Sequence, residues 1–250
     1  LAYHVPEEVV TQLARNVVDI RREGQTVYGA CLFADIAGYT TVSEAMTPRE
    51  LSDVMHKYLE ETFAPIHKHG GLVIDLKGDS ILAIWKGSSD DPMLRRNACE
   101  AALEVADAVR RFNRSNDAVS LPTRVSVHAG AIFLGSIGAG AHYEYGVTGD
   151  TVTTASRLDG LNKHLGTNIL VSAEVIRDLS DFQAREIGTF LLKGKTQPVV
   201  AHELICRAAE CTAEHKDAYA IFAEARQAFT ERRWEEAKNK FMQSDKVLNV

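Results

Sequence analysis

Two aspartates stand where strand-like segments end, and they are the first candidates for chemistry. Asp35 ends the apolar run 27–34, and Asp79 follows the run LVIDLK at a Gly-Asp turn. If the first strand lies beside the later hairpin, both carboxylates meet at one end of a sheet. Two convergent carboxylates suit Mg²⁺, which takes further ligands from phosphates and water. The alternative is that Asp35 caps a loop and Asp79 only forms a turn.

The residues between the aspartates predict a phosphate-binding loop and then a long helix. Residues 37–41, which include Gly38, Tyr39 and Thr40, are interpreted as a loop whose backbone amides bind phosphate oxygens near a helix start. Thr47-Pro48-Arg49-Glu50 has the pattern of a capping box with proline at the first helical position. We expect this helix to run to about residue 69 and to end at two glycines.

The rest of the pattern predicts an α/β (α+β) fold with a mixed sheet. Helices are expected at 92–113 and 150–165, and strand-like runs at 72–77, 80–85, 123–130, 131–135, 142–148, 168–172, 185–192 and 198–205. Strands that alternate with helices indicate a layered fold, and the hairpin across Gly78 and Asp79 makes the sheet mixed.

The chain divides into three segments by composition. Residues 1–26 are predicted to form an amphipathic leading helix and linker, 27–207 the main domain, and 208–250 a helical extension. In the extension two apolar triplets are spaced like the helices of one tetratricopeptide unit: Phe222, Ala225 and Phe229, then Trp234, Ala237 and Phe241. A single unit cannot bury its own apolar face, so it must pack on the domain, a partner or further repeats.

Composition excludes several classes of protein. The 250 residues are 45% hydrophobic, which is enough for a substantial core. A net charge of −6 and 7% aromatic residues argue against nucleic-acid binding. The four cysteines form no CxxC pair, which fits a reducing, cytoplasmic compartment. Neither a signal peptide nor a membrane-spanning stretch is visible, but an upstream membrane anchor or sensor domain of a bacterial protein is left open.

Five segments together resemble the catalytic domain of class III nucleotidyl cyclases. They are, in the order of that family, FADIAGYT, GGLVIDLKGDSILAIW, RVSVHAGAIFLGSIG, YGVTGDTVTTASRLDGLNK and LLKGKTQPVVAHEL. The resemblance covers about residues 27–204, and the C-terminal hairpin is similar to that of bacterial cyclases with an upstream membrane-bound sensor. It implies a ferredoxin-like centre flanked by helices. It also implies conversion of ATP or GTP to the 3′,5′-cyclic nucleotide and pyrophosphate in intracellular signalling.

The resemblance also implies roles for individual residues. Asp35 and Asp79, with the carbonyl of Ile36, would hold two Mg²⁺ or Mn²⁺ ions per site. Arg157 matches the transition-state arginine, and Lys193 matches the lysine that binds the terminal phosphates; the alternative for Lys193 is a solvated surface charge. Members of the family share each site between two subunits, so a homodimer is implied.

The residues at the base-binding positions depart from the adenylate pattern. Asp75 stands where the family has a purine-binding lysine, Gly146 where it has Asp or Thr, and Thr153 where it has a ribose-orienting asparagine. One explanation is guanine, whose N–H groups would donate to Asp75 while Gly146 leaves room. Another is adenine bound by Lys77, which shares a strand face with Asp75, with Thr153 replacing the asparagine. The third is a weak or silent domain that serves as a regulatory or dimerisation module.

Overall fold

One mixed sheet forms the centre of the described part of the chain. The computed structural model describes residues 24–116, 119–139 and 142–248. Its eight described strands run in the order β2-β3-β1-β4-β6-β8-β7, β5 also pairs with β4, and only β4 and β6 are parallel. The strands are β1 Gly24–Ile36, β2 Leu72–Lys77, β3 Ser80–Gly87, β4 Thr123–Ala139, β5 His142–Thr148, β6 Ile169–Ser172, β7 Phe182–Phe190 and β8 Val199–Arg207.

Helices complete a ferredoxin-like arrangement. In the described ranges they are α1 Tyr39–Ala45, α2 Pro48–Lys68, α3 Met93–Ser115, α4 Asp150–Leu165, α5 Ala173–Ile176, α6 Ala213–Thr230 and α7 Trp234–Leu248. The chain order β1-α2-β2-β3-α3-β4 maps onto the sheet order β2-β3-β1-β4, which confirms the predicted fold class. None of these helices combines the length and apolar character needed to cross a bilayer.

The alternation of side chains along β1 assigns the helices to the two faces of the sheet. Ala30, Leu32 and Ala34 are fully buried on the face that carries α2 and α3. Cys31 and Phe33 lie on the opposite face, where α4 packs. Burial raises the pKa of the Cys31 thiol to about 12, so this cysteine is a small core residue rather than a nucleophile.

The predicted capping box begins α2. The Thr47 hydroxyl accepts a hydrogen bond from the Glu50 amide at 3.4 Å, and the Glu50 carboxylate accepts one from the Thr47 amide at 2.9 Å. Two of the amides that a helix start leaves without intrahelical acceptors are thus satisfied, and the prediction is confirmed. The helix ends at Lys68, one residue before the predicted end.

Several boundaries differ from the sequence predictions. The runs 123–130 and 131–135 form one strand, because β1 pairs with β4 continuously from Gly24 to Ile36. The predicted loop 37–41 is a loop only to Gly38, since α1 begins at Tyr39. Residues 24–26 belong to β1 and not to the leading segment, whose residues 1–23 lie outside the described ranges. The domain boundaries themselves stay predictions.

The C-terminal helices form an antiparallel hairpin that packs on the main domain. The rings of Phe222 and Phe241 lie 5.2 Å apart between α6 and α7. The guanidinium of Arg185, on β7, lies 4.5 Å from the centre of the Phe222 ring, and Arg226 of α6 forms an ion pair with Glu186 of β7 at 2.7 Å. The domain therefore covers part of the hairpin, while its likeness to a tetratricopeptide unit stays a prediction.

Close packing beside Gly71 yields a stability prediction. A Cβ atom at this position would lie 2.4 Å from Cζ2 of Trp85 and 2.8 Å from Cγ2 of Ile66. We therefore expect Gly71→Ala to lower the free energy of unfolding by about 2 kcal/mol, measured by urea denaturation followed by circular dichroism. The matched control is Gly160→Ala, on an exposed helical position with open space, which should raise it by about 0.5–1 kcal/mol. Equal effects of the two substitutions would contradict this packing.

Candidate active site

The fold brings Asp35 and Asp79 together, as the sequence predicts. β1 pairs with β3 up to the partners Ala34 and Ile81, so the last residues of β1 lie beside the β2–β3 turn. Gly78 opens that turn with φ +63°, a conformation that favours glycine, and Asp79 follows it. The Ser80 hydroxyl donates a hydrogen bond to Oδ1 of Asp35 at 2.8 Å and so connects the two segments.

The two carboxylates perturb each other electrostatically. Burial raises the pKa of Asp79, and the negative charge of Asp35 raises it further. The backbone amides of Asp79 and Ile36 donate hydrogen bonds to the Asp79 carboxylate and offset part of the shift. Beneath the pair, the buried Tyr58 hydroxyl lies 2.8 Å from Oγ1 of Thr123. The site concentrates negative charge that a cation would neutralise.

Two further charged residues at this site escaped the sequence analysis. Arg124 lies opposite Asp35 in the β1–β4 register, and its Nη2 donates to Oδ2 of Asp35 at 3.0 Å. Asp159 of α4 faces the pair: burial, followed by the charge of Asp35, raises its pKa to about 6. Within the described residues, Oδ1 of Asp159 and Nε of Arg124 are buried without a hydrogen-bond partner. Arg124 belongs to the motif RVSVHAG and Asp159 to the motif SRLDG. Their place in these two motifs was the signal by which the sequence analysis could have found them.

Arg157 lies beside the loop that carries Lys193, on the side of α4 away from the aspartates of the same chain. Residues two apart on a helix point about 200° apart, so Arg157 faces away from the side on which Asp159 meets the acid pair. A Cβ atom on Gly194 would lie only 3.3 Å from Nη2 of Arg157, and the exposed Lys193 is adjacent in the chain. Thr153, one turn before Arg157, is exposed on the same helix face.

The base-binding candidates cluster on β2 and β5, which contact each other. Nζ of Lys77 lies 2.8 Å from Oδ2 of Asp75, which confirms that the two side chains share a strand face. This ion pair, with a further contribution from Glu144 of β5, raises the pKa of Lys77. Gly146 is half-buried on β5, where a Cβ atom would be in ordinary contact, 3.4 Å from Cδ1 of Ile137.

Two of the five backbone amides of residues 37–41, the predicted phosphate-binding loop, already donate hydrogen bonds to backbone carbonyls. The Ala37 amide donates to the Pro122 carbonyl at 2.7 Å, and the Thr41 amide donates to the Gly38 carbonyl at 3.0 Å. Tyr39 packs its side chain against the core. Only the amides at Gly38, Tyr39 and Thr40 therefore remain as candidates for a phosphate, at the first turn of α1.

A second group of potential metal ligands has a different character. Within the described residues, ligand atoms of His69, Glu100 and Glu104 lie within 4.8 Å of one another. Their carboxylates are already ion-paired, Glu104 with Lys68 at 2.8 Å and Glu100 with Arg207 at 2.6 Å. These cations already neutralise the cluster, whereas, of the cationic residues that the structure describes, only Arg124 forms an ion pair with the Asp35–Asp79 pair.

Comparison with known proteins decides the family. A family model of the adenylate and guanylate cyclase catalytic domain matches residues 24–205, which is more than half of the chain. The chain belongs to the class III cyclases. Adenylate cyclase 1 of Rhizobium meliloti (strain 1021) is 32% identical over 208 residues, 82% of this chain and 31% of that protein. The adenylate cyclase of Anabaena cylindrica is 34% identical over 213 residues, 80% of this chain and 41% of that protein.

Solved structures share the cyclase fold at low identity. The adenylyl cyclase CyaB from P. aeruginosa superposes with a TM-score of 0.66 at 22% identity, covering 76% of this chain and 100% of that one. The guanylyl cyclase Cya2 gives a TM-score of 0.66 at 23% identity, covering 76% of this chain and 97% of that one. The cyclase domain described here spans about a third to two fifths of the curated relatives named above.

The raised pKa of Asp159 predicts a pH-dependent stability of the metal-free cyclase domain. Its folded-state pKa of about 6 lies above the unfolded value of about 3.9, so the folded state binds its proton more tightly. This contribution to stability is present at low pH and is lost as the pH rises through 6. In chelator, Asp159→Asn should therefore be more stable than wild type at pH 7.5 by about 1–2 kcal/mol, after allowance for partial solvent exposure.

The same measurement needs a control. Asp53→Asn, at an exposed position on α2, should leave the difference between pH 5 and pH 7.5 unchanged. Urea unfolding at both pH values measures these free energies. If the free energy of unfolding changes between pH 5 and pH 7.5 by the same amount in Asp159→Asn as in wild type, another group binds the proton.

Proposed function

We propose that this cyclase domain converts ATP or GTP to the 3′,5′-cyclic nucleotide and pyrophosphate at sites shared by two copies of the chain. The observation that carries the proposal is the convergence of Asp35 and Asp79 at one end of a cyclase-fold sheet. Such a pair is destabilising by itself, because burial and repulsion both disfavour its charged form. Its presence is therefore explained by a cation that the pair binds.

The acid pair fits the divalent ions that the family requires. Carboxylate and carbonyl oxygens are the ligands that Mg²⁺ and Mn²⁺ prefer, so Asp35, Asp79 and the Ile36 carbonyl would hold two such ions. The raised pKa of Asp79 supports this fit, since a cation would relieve the repulsion that raises it. When bound, the ions would make the ribose 3′-hydroxyl more acidic and neutralise phosphate charge.

The cationic residues of α4 and the β7–β8 loop would act on the phosphates. The planar guanidinium of Arg157 offers several N–H donors to charge that develops at the α-phosphorus as the 3′-oxygen attacks it. Lys193, exposed and adjacent to the backbone that contacts Arg157, would bind the terminal phosphates that leave as pyrophosphate. The Gly38, Tyr39 and Thr40 amides would donate to phosphate oxygens as well.

The position of Arg157 supports a shared site. Because Arg157 faces away from the acid pair of its own chain, it would complete the site of a partner copy, and two sites would follow from two-fold symmetry. The α4 face of the sheet also carries partly buried apolar residues, among them Val27, Phe33, Ile74 and Val147. A second copy that covers these side chains would gain hydrophobic stabilisation.

Mixing two inactive variants tests the shared site. Asp79→Asn and Arg157→Ala should each reduce turnover at least about 100-fold, because each disables one half of every site. Mixed in equal amounts and allowed to exchange, half of the dimers contain one chain of each kind and one intact site. We expect about a quarter of wild-type activity, measured as cyclic nucleotide formed in Mn²⁺.

The control mixture is Asp35→Asn with Asp79→Asn. Both residues belong to the same half of the site, so no mixed dimer has an intact site and activity should stay at the level of the single variants. Recovery in this mixture, or wild-type turnover of Asp79→Asn alone, would contradict the assignment of the aspartates.

The choice of base is testable at β2 and β5. If Asp75 accepts from guanine and Gly146 leaves room beside it, Asp75→Lys combined with Gly146→Thr should raise the ATP-to-GTP ratio of kcat/KM by at least about tenfold. Lys77→Met separates the alternatives, since it should reduce turnover of ATP selectively only if Lys77 binds adenine. An unchanged ratio in the double variant would refute the assignment of these residues to the base.

A regulatory or dimerisation module is the second candidate function. It is favoured by the Asp75–Lys77 ion pair. The carboxylate and the ammonium bind each other there, and neither can bind a base until the pair breaks. No turnover of either triphosphate in Mn²⁺ by an intact dimer would support it.

The free cysteines fit a cytoplasmic domain. The additional length of the relatives leaves room for an upstream sensor or membrane anchor.

A further inference from the structure

The loop between β7 and β8 holds Lys193 between two anchored neighbours. Leu192 is buried against Leu158 of α4. The Lys195 amide donates to the Leu192 carbonyl at 2.9 Å and closes a turn around Lys193 and Gly194. Gly194 has φ +71°, which lets its backbone approach the Arg157 guanidinium closely. Lys193 itself is exposed, so the anchoring of its neighbours determines where its ammonium group can reach.

Lys195 supplies the second anchor. Its side chain is only 14% exposed, and its ammonium donates to the carboxylate of Asp150, the first residue of α4. The ion pair lowers the pKa of Asp150, which is itself 73% exposed. His128 also faces Lys195, but burial lowers the pKa of its ring, so it is neutral at physiological pH. Removing the Asp150 charge would leave a largely buried ammonium without this carboxylate.

The loop therefore contacts α4 at both ends of the segment that carries the catalytic arginine. Asp150 meets Lys195 at the start of the helix, while Arg157 and Leu158 meet Gly194 and Leu192 two turns later. Because the loop contacts α4 at two separated points, it cannot rotate about one of these contacts without breaking the other. The loop backbone that carries Lys193 is therefore restrained at two points relative to α4.

We propose that the Asp150–Lys195 ion pair is a positioning device that holds Lys193 and Arg157 at the spacing needed to bind one polyphosphate chain. Neither Asp150 nor Lys195 touches the substrate in this role; both act through the loop. The inference rests on the proposed function, because it assigns the two positioned cations to the phosphates of a nucleoside triphosphate. A group fixed before binding loses less conformational entropy when the phosphates arrive.

The experiment compares Asp150→Asn, Lys195→Met and the double variant with wild type. Inorganic tripolyphosphate in Mg²⁺ is the probe, with its affinity measured by calorimetry. Each single variant should bind it about tenfold more weakly, and the double variant should be no worse than the singles because the residues act as a pair. KM for the nucleotide should rise by a similar factor, and Lys195→Arg should restore both. Hydrogen exchange at residues 191–196 should accelerate in the weakened variants.

A matched control separates positioning from general stability. Lys240→Met removes a similar lysine–carboxylate pair, with Glu224, from the C-terminal hairpin and should leave tripolyphosphate affinity unchanged. Unchanged exchange in Asp150→Asn and Lys195→Met would overturn the anchoring. Faster exchange with unchanged affinity would overturn the positioning role. A wild-type protein that binds no tripolyphosphate would instead overturn the proposed function and the positioning role with it.

Discussion

Repulsion between Asp35 and Asp79 is the constraint around which the rest of the site is arranged. The strand register places both carboxylates at one end of the sheet. Burial raises the pKa of Asp79, and the negative charge of Asp35 raises it further. Groups around the pair offset the repulsion: the Ile36 amide donates to Asp79, while Ser80 and Arg124 donate to Asp35. These donors offset part of the repulsion, and a bound cation would offset more of it.

Helix α4 separates the negative and positive halves of the proposed site. One side presents Asp159 to the acid pair, and the opposite side presents Arg157 to the β7–β8 loop. If Arg157 lay beside Asp35 and Asp79 of its own chain, it would pair with them and compete with metal ions. In the proposed dimer, separating the two halves within each chain would avoid this competition. The same separation would make the two surfaces of the proposed head-to-tail dimer electrostatically complementary.

Local signals made part of this structure predictable. The capping box at Thr47 and the glycine turn before Asp79 are determined by adjacent residues, so the sequence alone predicts the start of α2 and the turn that carries Asp79. That Asp35 lies beside this turn was predicted only on the condition that β1 pairs with the hairpin. Arg124 and Asp159 depend on the β1–β4 register and on which side of α4 meets the sheet. Those contacts join residues far apart in the chain, so the motifs that contain Arg124 and Asp159 indicate their importance but not what they touch. The short helix α1 was missed because none of its residues is buried, so it has no apolar periodicity.

The ion pair between Asp75 and Lys77 bears on the choice of base. If these two residues bind the base as proposed, either purine would replace one member of the pair, because guanine would donate to the carboxylate and adenine would accept from the ammonium. The residue that does not bind the base then loses its charged partner, and water must solvate its charge instead. Lys77 is 82% exposed and is readily solvated alone, whereas Asp75 is only 38% exposed and loses more when its partner turns away. If Asp75 and Lys77 bind the base as proposed, breaking the pair would therefore cost less when guanine binds Asp75 than when adenine binds Lys77.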